Sequence, residues 1–324
     1  MYASGKGRFS VIEIQNVSKR YGAKYAVKDV TFTIKKSEIL GFLGRNGAGK
    51  TTTMNIVTGY ISASSGRVLL DGHDILEEPR LVKRHIGYLP EHPPLYLDMT
   101  VNEYLKFVCK IKEVKSSHIK NHLDDICELS RITEVRKRLI KHISKGYRQR
   151  VGVAQALVGN PEMLILDEPT VGLDPRQIIE IRQLIKDLGK DHTVVLSSHI
   201  LHEVEDVCER VVIINNGQIV AQDSLENLTV NISDTFRLRL RIEGPEREVK
   251  RAIRELPGTR SVDSIGSKEK GSMDYLVESD REVDIRRPLF TTMAKLQYPI
   301  LALRPMDIDL EDIFLQLTTE NGEV

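Results

Sequence analysis

Residues 41–52 read GFLGRNGAGKTT, and from Gly44 to Thr51 they fit the pattern G-x-x-x-x-G-K-[ST]. EILGFLG ahead of the pattern reads as a buried strand, and KTTTMNIVTGY behind it as a helix. Strand, glycine-rich loop, helix is the order a phosphate-binding loop requires. Glycines let backbone N–H groups wrap an anion, and the helix N-terminus beneath adds its own positive partial charge. Gly44, Asn46, Gly47, Ala48 and Gly49 are therefore expected along the phosphates, with Thr52 beside them. Lys50 is expected to reach the terminal phosphates, and Thr51 to offer its hydroxyl to Mg²⁺. A chance glycine-rich turn would not need a strand on one side and a helix on the other. The chain is thus expected to bind a nucleotide on an α/β core.

The remaining periodicities fit such a core. VIEIQNV and VTFTIKK alternate apolar and polar residues, as half-buried antiparallel strands do, giving a β-rich entry up to Lys36. IGYL, MLILD and TVVLSS are short apolar strands separated by helical stretches, which implies a mainly parallel sheet with crossover helices. Between Thr100 and Gly159 helix follows helix, opening at TVNE, where Thr100 and Glu103 have the spacing of a capping box. This segment, about 100–159, is expected as a helical insertion. RVVIINNGQIVAQD sets Asn216 and Gly217 between two apolar runs, a hairpin signal. The core is expected to close near Leu228, so that 11–230 form one domain behind a loose tail at 1–10. From 235 to 324 the order strand-helix-strand-strand-helix-strand predicts a small α+β ferredoxin-like domain. Leu310, Ile313, Phe314 and Leu317 would share one face of a last helix and pack on that domain.

Composition narrows the partners. With 47 Lys and Arg against 46 Asp and Glu, the net charge of +1 gives no general pull toward nucleic acid or acidic lipid. Cys109, Cys127 and Cys208 are odd in number and far apart, fitting neither a disulfide framework nor a zinc site; reduced thiols in a cytoplasmic compartment are expected. The longest apolar runs, such as MLIL and RVVII, fall short of the roughly 20 residues a membrane span requires.

Hydrolysis of a bound nucleotide needs a metal anchor and a group that positions water. MLILDEP supplies both at one strand end: Asp167 is expected to hold Mg²⁺, directly or through water, and Glu168 to act as general base. His199 follows TVVLSS at the edge where parallel sheets bind ligands. A second, partial anion cradle stands at KHISKGYRQRV, where Ser144 and Gly146 open a helix among basic residues.

Lys50, Ser144, Gly146, Asp167, Glu168 and His199, in that order and spacing, resemble the ATP-binding subunit of an ABC transporter over roughly the first 230 residues. The resemblance implies a P-loop NTPase ABC ATPase core: a mainly parallel sheet with an antiparallel β subdomain and a helical insertion, followed by the accessory domain. It implies Tyr21 stacked on adenine, His199 against the γ-phosphate, and Gly172, Leu173 and Asp174 touching a partner subunit across the nucleotide. ISKGY stands where the family signature reads LSGGQ, so Ser144 and Gly146 would cover a γ-phosphate held by the other subunit's Lys50 loop. By this resemblance the chain would be an ATPase that pairs with itself or with a related subunit around two ATP·Mg²⁺. It would drive a separately encoded integral membrane permease from the cytoplasmic face, receiving the permease's coupling helix near Glu91 and the helical insertion. No nucleic-acid partner is expected.

Three positions, in two motifs, depart from the family pattern. Lys145 and Tyr147 replace the usual Gly and Gln, leaving Ser144 and Gly146 in place. Glu91 stands where most members carry a Gln that touches Mg²⁺. A carboxylate can ligate the metal but also repels the γ-phosphate, by about 4 kcal/mol for unit charges about 4 Å apart at an effective dielectric of about 20. SKGYRQRV, LPEHPPLY and LEDIFLQLT are similar to a subgroup of gliding-motility, sodium-efflux and drug-efflux exporters. Three alternatives are disfavoured. Chromosome-maintenance heads enclose a long coiled coil, for which Lys50 to Ser144 leaves no room. Ribosome-binding relatives carry tandem cassettes and a basic linker. A nucleotide-sensing adaptor that does not hydrolyse would have no use for Glu168 and His199.

Overall fold

The computed structural model describes residues 11–232, 235–267, 269, 271–280, 282–306, 311 and 314. The expected tail at 1–10 lies outside the described residues, as do Leu310, Ile313 and Leu317 of the expected last helix. Contacts divide the chain into two units, Met1–Ser224 and Leu225–Val324. Among the described residues no helix is long and apolar enough to cross a membrane.

The first unit opens with β1 (Val11–Tyr21) and β2 (Lys24–Lys35), then β3 (Ile39–Leu43) and α1 (Lys50–Val57). After these come β4 (Ser65–Leu70), β5 (His73–Asp74), α2 (Pro79–Lys83) and β6 (Ile86–Leu89). The helical stretch holds α3 (Val101–Ile111), α4 (Ile119–Leu129) and α5 (Lys145–Leu157). β7 (Met163–Asp167), α6 (Pro175–Gly189), β8 (Thr193–Ser198) and α7 (Leu201–Glu205) lead to the hairpin of β9 (Arg210–Asn215) and β10 (Gln218–Ser224).

Two sheets result. One is antiparallel, in the order β2-β1-β4-β5. The β-rich entry expected up to Lys36 extends further, because β4 and β5 join it. In β4 only Val68 and Leu70 are buried, so the strand shows too little alternation to stand out before it pairs with β1. The other sheet runs β10-β9-β3-β8-β7-β6, parallel except for the edge strand β10. All five residues of β3 and of β7 and all six of β8 are buried, as strands covered on both faces must be. One apolar core joins both sheets and α1, with the Phe32 and Phe42 rings 5.4 Å apart.

Register decides where the chemistry falls. Leu43 of β3 pairs with Ser198 of β8, and Asp167 of β7 pairs with Ser197. The loops after β3, β7 and β8 therefore leave the sheet side by side at its carboxyl edge. Thr100 caps α3 through a complete capping box with Glu103, and Asn216 and Gly217 turn the β9–β10 hairpin with φ of 48° and 78°.

The second unit continues with α8 (Leu225–Ile232), β11 (Thr235–Glu243), α9 (Glu246–Arg254), β12 (Thr259–Gly266), β13 (Ser272–Asp280), α10 (Arg286–Lys295) and β14 (Ile300–Met306). Its sheet is antiparallel, in the order β12-β13-β11-β14, which is a ferredoxin-like arrangement. Alternation in FRLRLRI puts Leu238, Leu240 and Ile242 into a core with Val249, Ile253, Tyr275 and Leu289.

Candidate functional site

The loop after β3 folds as its glycines require. Gly47 and Gly49 have φ of 82° and 110°, and a Cβ on Gly49 would lie 2.7 Å from the Ala26 carbonyl oxygen. Gly49 precedes α1 without any side-chain cap, so the first backbone N–H groups of the helix are left for a ligand. Lys50, buried at the head of α1, donates to the Gly44 carbonyl at 2.8 Å and lies 3.1 Å from Glu168 Oε1. In front of it opens a cavity of about 510 Å³, lined by Asn46, Gly47 and Gly49 to Thr52 of the loop and helix start together with Glu91, Glu168 and His199.

The strand ends supply the carboxylates. Asp167 is fully buried and accepts from Ser197 Oγ at 2.5 Å. Its second oxygen, Oδ2, has no hydrogen-bond partner among the described residues. Burial pushes the Asp167 carboxyl above the usual carboxylate range, against the lowering effect of hydroxyl donors Ser197 and Thr51. Glu168 takes a left-handed backbone, φ 48°, which swings its side chain out of the strand line. Its N–H donates to Ser197 Oγ at 3.0 Å and to the Ser197 carbonyl at 3.2 Å. Its Oε2 lies 2.8 Å from His199 Nδ1. Lys50, Glu168 and His199 thus form one continuous polar chain along the cavity.

A divalent cation fits these residues. The unbonded Asp167 Oδ2, the Thr51 hydroxyl and Glu91, both in the cavity wall, offer an all-oxygen donor set. Among the described residues no three His, Cys, Asp or Glu converge as a full protein cage. Mg²⁺ does not need one, since it takes one or two protein ligands and completes its shell with waters and phosphate oxygens.

The other expected residues lie elsewhere. Ser144 caps α5, accepting from the Tyr147 N–H at 3.3 Å. Gly146 is buried beneath Gln177, whose amide carbon would stand 2.7 Å from a Cβ there. Lys145 is exposed, and its ammonium rests on the loop at Gly172, 2.0 Å from where a Cβ would be. Asp174 caps α6 by accepting from the Gln177 N–H at 3.0 Å. Tyr21 ends β1 with 56% of its surface exposed and Lys19 Nζ 5.5 Å from its ring. Tyr21, Gly44, Ala48, Ser144, Gly146, Asp167 and Asp174 are not among the residues lining the phosphate cavity. Cys109, Cys127 and Cys208 are free thiols, all buried.

Sequence reasoning missed Ser197, which braces both Asp167 and Glu168. The available signal was the pair of hydroxyls in Ser197-Ser198-His199, directly after the apolar run Val194-Val195-Leu196. Next to the cavity lies a groove of about 580 Å³ whose wall includes Tyr60, Ile86, Tyr88, Pro90 and Val108. Thr51 and Glu91 line both spaces.

Comparison with known proteins agrees with this geometry. The family described as ABC transporter matches residues 27–171. An uncharacterized ABC transporter ATP-binding protein of Bacillus subtilis is 33% identical over 317 residues, covering 97% of this chain and 98% of its own. The linearmycin resistance ATP-binding protein of the same species is 30% identical, covering 95% and 98%. The bacitracin transport ATP-binding protein of Bacillus licheniformis is 38% identical, covering 68% and 71%. Among solved structures, the ATP-binding subunit of an ABC transporter superposes with a TM-score of 0.63 at 29% identity, over 68% of this chain and 93% of that one. An ATP-binding cassette in a dimeric post-hydrolysis state, bound to ADP and Pi, superposes with a TM-score of 0.60 at 25% identity, over 66% and 98%. With likeness running across nearly the whole of two relatives, the chain belongs to the ABC transporter family as an ATP-binding subunit, and it is an ATPase.

Proposed function

We propose that two copies of this chain, or one copy and a related subunit, close around two ATP·Mg²⁺ and drive a separately encoded membrane permease from its cytoplasmic face. One observation carries the reading: Lys50, Glu168 and His199 share a cavity that Ser144 and Gly146 of the same chain do not line. A chain that carries two phosphate cradles apart from each other completes neither site alone. In the closed pair, Ser144 and the Gly146 N–H of one subunit meet the γ-phosphate held by the Lys50 loop of the other.

The roles follow from the groups present. Phosphate oxygens compete with the Gly44 carbonyl and with Glu168 for Lys50. Taking the lysine frees the Glu168 carboxylate to orient water and accept its proton. His199 steadies Glu168 through Nδ1 and offers its other ring nitrogen to the γ-phosphate. Asp167, Thr51 and Glu91 would hold Mg²⁺, and the ion would supply charge neutralisation at the phosphates. Tyr21 offers its exposed ring to adenine. Gly172, Leu173 and Asp174 meet the facing subunit. The apolar groove that shares Glu91 with the phosphate cavity is the natural seat for a permease segment, since whatever moves Glu91 is felt on both sides. The bacitracin and linearmycin relatives, with SKGYRQRV and LPEHPPLY, support placement among exporters.

The test is Glu168→Gln. Loss of a general base costs about 10²- to 10⁴-fold in rate, so the variant should bind ATP, nearly stop turning over, and accumulate as a dimer by light scattering. A variant saturated with ATP·Mg²⁺ that stays monomeric overturns the two-copy reading, and one with unchanged phosphate release overturns the role of Glu168.

A further inference from the structure

Behind the phosphate cavity sits a carboxylate to which the reading above gives no task. Glu203, in the first turn of α7, is 2% exposed. Its Oε2 accepts from Thr170 Oγ1 at 2.6 Å and from Ser198 Oγ at 3.3 Å. Thr170 and Ser198 are themselves buried, at 3% and 0% exposure. Ser198 Oγ in turn accepts from the Ile200 N–H at 2.9 Å. Glu203 Oε1 has no partner among the described residues.

A buried carboxylate with one oxygen unbonded is a destabilising choice where an apolar side chain would pack. Its placement explains the choice. Backbone pairing of β7 with β8 ends at Asp167 and Ser197, and beyond that rung the two chains separate. Glu168 lies one residue past the rung on the β7 side, and His199 two residues past it on the β8 side. Glu203 bonds Thr170, two residues after Glu168, and Ser198, one residue before His199. It ties together the two segments that carry the cavity's carboxylate and imidazole, where the ladder no longer does. The 2.8 Å contact between Glu168 and His199 is therefore bounded by Ser197 on the sheet side and by Glu203 on the far side.

We infer that Glu203 is a positioning residue for ATP hydrolysis, clamping the loops after β7 and β8 so that Glu168 and His199 stay in register. The inference rests on the reading that those two residues serve the chemistry. It touches neither the phosphate loop nor the nucleotide, so the effect belongs in kcat, not in KM for ATP. Misplacement of a reacting group by about 1 Å can cost about 10²-fold.

The experiment uses the full chain with ATP·Mg²⁺ and compares Glu203→Ala, Glu203→Gln, Thr170→Val and Glu168→Gln. Glu203→Ala is expected to lower kcat by about 10- to 100-fold with KM unchanged. Glu203→Gln keeps an acceptor oxygen for both hydroxyls and should restore most of kcat. Thr170→Val, which buries no charge and is well suited to fold, should lower kcat in the wild type but add little in the Glu203→Ala background. If Glu203→Ala and Thr170→Val keep full kcat while Glu168→Gln is inactive, the clamp is refuted and the catalytic reading stands. If Glu168→Gln is itself fully active, the reading beneath it fails. Parallel losses in kcat and in nucleotide binding would mean general disorder, and that also overturns the clamp.

Discussion

Asp167 is a costly residue to build into this protein. Its side chain is fully buried, with one oxygen unbonded and a proton affinity raised by burial above the ordinary 3.8. The folded chain therefore holds a proton at pH values where the unfolded chain has released it. By linkage, stability without nucleotide falls as pH rises from about the usual value through the raised one. Asp167→Asn removes that charge, so the nucleotide-free variant should gain stability, by about 0.5–2 kcal/mol, the range of common single stabilising substitutions. The same variant should lose the extra stabilisation that ATP gains when Mg²⁺ replaces EDTA. Thermal melts under the four conditions decide it; a lower midpoint without nucleotide would contradict the account. Glu91 gives a second test at this scale. Glu91→Gln should remain an active ATPase with an altered Mg²⁺ titration. A tenfold change in the midpoint is about 1.4 kcal/mol, well inside the roughly 4 kcal/mol that a like-charge pair about 4 Å apart would carry. Superimposable titrations would mean that Glu91 stays clear of the metal.

Among the elements, α5 carries the sharpest conflict between stability and use. Its first turn contains Lys145 and no acidic residue, although a cation at a helix N-terminus is disfavoured by about 0.3–1 kcal/mol. Lys145→Glu should therefore raise the nucleotide-free melting point slightly. On the proposed two-copy site it should also weaken ATP-driven dimerisation in the Glu168→Gln background, because the new carboxylate would face a γ-phosphate. Both effects should shrink in high salt, as expected for an exposed position. Dimerisation unaffected by the charge reversal would remove α5 from the interface. Elements of this kind were readable in the sequence where a local rule was complete: the capping box at Thr100 and Glu103, the Asn216-Gly217 hairpin, and the alternation in FRLRLRI. Of the cavity lining, Asn46, Gly47 and Gly49 to Thr52 were readable from motif spacing, Glu168 and His199 from the strand ends they follow and Glu91 from the family resemblance, whereas Ala26 and Val171 were not. β4 was not readable, since its exposed half is set by pairing with β1 across some 50 residues of chain. Nor were the braces at Ser197 and Glu203. A hydroxyl or carboxylate acquires such a role only when strand register brings a second loop to it, and register is a tertiary fact.

At the scale of the whole chain, two cores stand apart in composition. One joins Ile12, Phe32, Phe42 and Met54 to the nucleotide-binding sheet; the other gathers Leu238, Tyr275 and Leu289 on the ferredoxin-like sheet. Every residue lining the phosphate cavity belongs to the first unit. A ligand stabilises only the cooperative unit whose folding creates its site, by about 2.7 kcal/mol at about 100 times its Kd. ADP·Mg²⁺, which lacks the γ-phosphate proposed to draw two copies together, isolates that effect. Native-state hydrogen exchange should then show slower exchange across β3, α1, β7 and β8, with that gain in opening free energy for amides that open only by unfolding of the first unit. Amides of β11 and β13 should keep their rates, because their opening requires only the second core to come apart. Equal slowing in both sets would mean that the chain unfolds as one cooperative body and that the two cores are not energetically separate.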